Sequence, residues 1–343
     1  MDKDRFFERL KKLCTADGVS GSEEHVGDIC AELFSEYGEV SRDSSGNVFC
    51  TIKTGESDGD SRKTLLLNAH IDEIGMIVTY ITDDGFLRVS KCGGVDVRVL
   101  PASKVTIYGK EKLFGIVTSV PPHLQSDNSK AVKLDDLYID TGLSGERAKQ
   151  LISQGDRVLI ENEPVQMGSL ITSKALDDRC CVLTILTALD MLKGKKSAYN
   201  IKVLLSSCEE VGSRGAKTGA FVSDADLALV LDVTFGRVHG ESDDEYFTVG
   251  GGAAIGISPV LSRRLSDALT DISKAEGLPY QLEVMGGRTG TDADAVTVAK
   301  GGISTCTVSV PLKYMHTPVE AVDPADIENT AALIAAFCEK GAV

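Results

Sequence analysis

Three short apolar runs constrain this chain most: TLLLNA at 64–69, NIKVLLSS at 200–207 and DLALVLDV at 226–233. Runs of this length and texture belong to strands covered on both faces. Between and after them the apolar spacing turns helical. Val182, Leu183, Ile185, Leu186, Leu189 and Leu192 mark a buried helix over 179–192, Leu261, Leu265, Leu269 and Ile272 mark another, and 324–338 a last one. With YQLEVM and STCTVSV as further strands, the prediction is an α/β fold: a mixed, mostly parallel sheet covered by helices.

Residues 4–14 and 22–37 carry apolar side chains at helical spacing, and Gly18–Ser22 supplies a turn ending in a Ser22 N-cap, with Glu23 and Glu24 in the positive first turn. His25 reads as a surface residue of that helix. A strand is expected at 46–53. From 74 to 164 the texture changes to short alternating segments, GMIVTYI, FLRVS, KVTIYG and FGIVTSV, punctuated by glycine and helical only near 144–153. This predicts a small all-β barrel, 74–164, inserted between the two parts of a catalytic domain, 1–73 and 165–343.

A chain of 343 residues, 42% hydrophobic, can bury a large core and form two domains. No run approaches the roughly 18 apolar residues of a membrane span, and MDKDRFFERLKK alternates charge with aromatics, which predicts a cytoplasmic protein. The nine cysteines form no CxxC pair and sit mostly in apolar runs, which fits a reduced compartment. A formal charge of −15 with no basic stripe argues against nucleic acid and anionic membranes as partners.

Chemistry gathers where the apolar runs end. His70 closes the first, and Asp72 beside it can orient the imidazole. Glu209 and Glu210 follow the second; adjacent side chains there diverge, so one can ligate a cation while the other holds water. Asp232 ends the third, where an unpaired buried carboxylate would be costly and a cation is the natural partner. His316 lies in a loop after STCTVSVPLKYM. Asp177 and Asp178 precede the helix at 179–192, where simple capping explains both, and either could bridge two cations. Singly, each of these has an ordinary structural explanation. Together, two histidines, three carboxylate ligands and a spare glutamate suit two divalent ions such as zinc, cobalt or manganese, which activate water and polarise a carbonyl jointly.

The stretches HIDEIGM, ALDDR, EEVGSRGA, LDV and YMHTPVE resemble those of the glutamyl or deblocking aminopeptidases, a family of co-catalytic metallopeptidases, and the likeness runs over nearly the whole chain, including PPHL at 121–124. The resemblance implies that Asp177 bridges two metals, with His70 and Asp232 on one and Glu210 and His316 on the other. It further implies Glu209 as general base, Asp72 as the residue orienting His70, short peptides as substrates, and a β insert that dimerises subunits of a larger homo-oligomer, up to a dodecamer. The glycine-rich stretches at 249–258 and 286–295 look like altered substrate-side loops, and Asp292 resembles a position near the site without being a ligand. Cys180, Cys181 and Cys208 lie beside site residues but read as packing groups. Alternatives are another metal-dependent amide hydrolase, such as a deacylase or carboxypeptidase, or a metal-stabilised scaffold without activity. Some family members carry a cellulase label; no carboxylate pair here is set for glycosidase work in preference to metals.

Overall fold

A computed structural model describes residues 3–52, 62–120, 132–240 and 246–341; the PPHL segment lies outside them. The apolar runs are strands Thr64–His70, Asn200–Ser206 and Leu227–Phe235, joined by Ser304–Lys313 as four parallel neighbours at the centre of an 11-stranded mixed sheet. Antiparallel strands flank them: Gly38–Arg42 and Val48–Ile52 on one side, Glu320–Val322, Leu170–Ser173 and Val165–Met167 on the other. In register, Ser206 faces His70 and Asp232 faces Ser309, so the C-terminal ends of the central strands lie level. That edge is where an open α/β sheet presents ligand-binding groups.

One face of the sheet packs on helices Lys3–Thr15, Glu24–Phe34, Leu176–Leu192 and Pro324–Lys340; the other is covered by Arg214–Val222 and the short Ala293–Val296. Leu176–Leu192 is buried on nearly all sides through Leu189, because it lies between the sheet and Pro324–Lys340. Its first turn is irregular. Asp177 and Asp178 have non-helical backbone angles, and the peptide bond between them is cis, so the regular helix begins at Arg179 as its apolar spacing predicts.

The predicted barrel is present as six antiparallel strands in the closed order Gly75–Ile81, Leu87–Cys92, Ile139–Asp140, Lys112–Val117, Lys104–Tyr108 and Arg157–Ile160, with its own core of Met76, Val78, Leu87, Val105, Ile107 and Val158. Two expectations fail. The N-cap of Glu24–Phe34 is Glu23 in place of Ser22, and the Glu23 carboxylate turns inward to accept from Gly21 N at 2.8 Å and Cys208 N at 3.1 Å. Within the stretch at 249–258, expected as a loop, Ala253–Ile257 is instead a buried strand between Tyr280–Val284 and Ser304–Lys313, and a Cβ at Gly256 would collide with Thr307, which explains a glycine there. Among the described residues no helix is long and apolar enough to cross a membrane.

Arg179 ties the N-terminal segment to the sheet. Fully buried, it donates to the carbonyls of Leu13, Ala16 and Ile71 and pairs with Glu73 at 2.9 Å; Lys174 meets the same carboxylate at 2.8 Å. Removing one member strands the others. Arg179→Met is expected to cost about 3 kcal/mol of stability by urea unfolding, far more than a surface Arg→Met control.

Candidate metal centre

His70 is held at both ends of its ring. Nδ1 lies 3.1 Å from the Asp72 carbonyl oxygen and 3.4 Å from Asp72 Oδ1, while Nε2 lies 3.1 Å from Asp177 Oδ1. A carbonyl can only accept, so Nδ1 carries a proton and Nε2 is the nitrogen presented to the site. The Asp72 carboxylate does further work: Oδ1 accepts from Glu209 N at 2.9 Å, and Oδ2 accepts from Glu210 N at 3.2 Å and Ser20 Oγ at 2.7 Å. One buried carboxylate therefore fixes both the imidazole and the loop that carries the two glutamates.

On the opposite side of Asp177, His316 Nε2 lies 3.3 Å from Oδ2 and 3.4 Å from Glu210 Oε1. His70, Asp177 and Asp232 offer ligand-type atoms within 4.8 Å of one another, and so do Asp177, Glu210 and His316. Asp177 belongs to both groups, one oxygen toward each imidazole. Asp178, its neighbour, turns away and accepts from His70 N at 3.1 Å.

The charges explain what such a place can hold. Burial favours a neutral Asp177, but its contacts with His316 and His70 keep it well below the usual carboxylate range. Asp232 is 7% exposed, and among the described residues the hydrogen bond its carboxylate accepts is from its own neighbour, Val233 N, at 2.8 Å. Burial, with Asp178 next, pushes its carboxyl far up. Burial pushes Glu209 to about 8, His70 opposing and Asp292, Glu210 and Asp177 adding to the rise. Two imidazoles do not balance this many carboxylates. Oxygen and imidazole donors converging from both sides of a shared carboxylate fit divalent cations of the zinc, cobalt and manganese kind.

Residues 46–333 match the family model described as M42 glutamyl aminopeptidase. The chain belongs to that family. This M42 peptidase is 30% identical to the lysyl aminopeptidase of Pyrococcus furiosus, with 97% of each chain aligned. It superposes on the aminopeptidase APDkam598 of the archaeon Desulfurococcus kamchatkensis with a TM-score of 0.91 at 35% identity, covering 98% of this chain and 95% of that one. The TET1 peptidase of Pyrococcus horikoshii, described as assembling into a tetrahedron or a large octahedral shell, matches with a TM-score of 0.85 at 29% identity, covering 98% and 99%.

Several residues that shape the candidate site do not stand out from sequence pattern. Glu320, 2% exposed, accepts from Asp177 N at 3.1 Å with Oε2 and from His316 N at 2.9 Å with Oε1, clamping the backbone of both halves of the site. Its only signal is its place at the end of YMHTPVE. Asp292, a buried neighbour of the site, accepts from Ser206 Oγ; burial pushes it to about 6. Cys180 and Cys181 are fully buried; Cys208 is half-buried, and burial with Glu23 holds its thiol at about 12, protonated and unreactive. His25 is exposed and pairs with Asp17 at 2.7 Å.

The barrel reaches the site through Gly93 and Gly94. A Cβ at Gly94 would overlap His316 Nδ1, so this glycine sets where the ring sits. Gly94→Ala is expected to lower kcat/KM on an aminoacyl substrate about a hundredfold by displacing that ring, while the melting temperature moves little. An unchanged kcat/KM would show that the contact is slack.

Proposed function

We propose that the chain is an aminopeptidase dependent on two divalent metals, zinc or cobalt or else manganese, that removes N-terminal residues from short peptides. The sharing of Asp177 between the two ligand groups carries this reading. His70, Asp232 and Asp177 would hold one cation, and Glu210, His316 and Asp177 the other. Such cations supply Lewis acidity and lower the pKa of water. Glu209 lines the same cleft without belonging to either group, and Ser213 Oγ steadies it by donating to Oε1 at 3.3 Å. It takes a proton from water as that water attacks the first peptide carbonyl, then returns it to the leaving amine. Asp72 positions His70 and the Glu209–Glu210 backbone throughout.

Residues 74–164 are proposed as the dimerisation domain of a homo-oligomer, built from dimers and reaching a dodecamer. Exposed Tyr80, Phe114 and Ile116 on the barrel, and the shell-forming TET1 relative, support this. The free thiols support a reducing, cytoplasmic setting.

Glu209→Gln should lower kcat by about a hundredfold to ten-thousandfold while metal content by plasma emission stays at the wild-type value. Asp177→Asn should lose metal from both positions, and Asp178→Asn, which only loosens the His70 backbone, should lose less. Full turnover by Glu209→Gln sinks the base assignment. A panel of free-amine and N-blocked peptides separates this reading from a deacylase or carboxypeptidase: only the free-amine peptides should be cut.

A further inference from the structure

Two spaces open beside the ligand groups. On the barrel side, a pocket walled by Ile74, Met76, Val95, Val99 and Leu159 leaves about 30 Å³. On the other side a cleft of about 510 Å³ runs from the ligand groups to Thr234, Phe235, Glu283 and Thr289–Thr291. A substrate side chain has this cleft to enter.

Glu283 is the one acid lining the cleft that belongs neither to the ligand groups nor to the proton-transfer role given to Glu209. Its Oε1 accepts from Thr234 Oγ1 and its Oε2 from Ser309 Oγ at 2.8 Å. The two central strands place both hydroxyls: Ser309 is the register partner of Asp232, and Thr234 lies two residues further along, on the same face, a step of about 6.6 Å. The carboxylate is thus held between the level of Asp232 and a point one such step beyond it. Among the described residues these hydroxyls are its partners, and no cation balances it. Half-buried carboxylates with neutral donors alone gain most from an incoming ammonium or guanidinium. Phe235, 57% exposed and lining the same cleft, offers an apolar wall for a methylene stem.

We propose that Glu283 is a specificity-determining residue that selects substrates whose N-terminal residue carries a cationic side chain, lysine foremost and arginine next. The inference rests on the aminopeptidase reading. With the scissile carbonyl at the ligand groups, the four-carbon stem of lysine spans the step to Glu283 and delivers its ammonium there.

The test compares kcat/KM for lysyl and norleucyl p-nitroanilides on the metal-reconstituted enzyme, two stems of equal shape with and without the ammonium. Wild type should prefer lysyl by about tenfold to a hundredfold, the worth of a charge-assisted hydrogen bond. In Glu283→Gln the ratio should collapse toward one. Equal or better norleucyl turnover by wild type overturns the inference without needing the variant to fold. An unchanged ratio in a folded, metal-replete Glu283→Gln overturns it too, since Glu283 would then serve the α-ammonium or the scaffold. Failure of wild type to cut either substrate contradicts the aminopeptidase reading beneath it, a different outcome from turnover without preference.

Discussion

The carboxylate of Asp177 sits between two imidazoles, His70 on one oxygen and His316 on the other, and most of the surrounding architecture holds that arrangement still. His70 arrives at the end of a central strand, and His316 arrives on a loop beyond another. Glu320 fastens the amides of Asp177 and His316 to one buried side chain, Asp178 fastens the amide of His70, and Asp72 fastens the amides of Glu209 and Glu210. Backbone anchored in this way keeps ligand positions fixed when charge arrives or leaves, which is what a preorganised site requires.

The cost of that arrangement is carboxylate crowding. Asp178, Asp232, Glu209, Glu210 and Glu320 are all pushed above their ordinary range, with burial the first cause in each case. A fold under selection for stability alone would not collect them at one sheet edge. Divalent cations would relieve the crowding, and the same electrostatics would make them bind tightly.

Much of this was legible in the sequence, for a physical reason. Strands buried on both faces leave uninterrupted apolar runs, so Thr64–His70 and Leu227–Phe235 announce themselves, and the polar residues that interrupt or end them stand out as groups needing partners. The barrel was readable from its alternating segments, although Ile139–Asp140 and Arg157–Ile160 are too short or too charged to show as strands. What was hidden depends on tertiary encounters. Glu320 and Glu283 lie in ordinary strand segments, and only folding shows that one clamps two backbones while the other floors a cleft. Gly94 likewise looks like a turn residue until His316 is packed against it. The strand at Ala253–Ile257 was masked by the glycines before and within it: Gly250 and Gly252 take positive φ in the turn that leads in, and Gly256 serves close packing against Thr307.

The sharing of Asp177 is tested most directly by anomalous diffraction from crystals of the zinc- or cobalt-reconstituted enzyme, recorded at the metal edge. Two peaks are expected in every subunit, one among His70, Asp177 and Asp232 and one among Asp177, Glu210 and His316, with an Asp177 oxygen in contact with each. A single peak, or two peaks that Asp177 does not join, would contradict a shared-carboxylate centre.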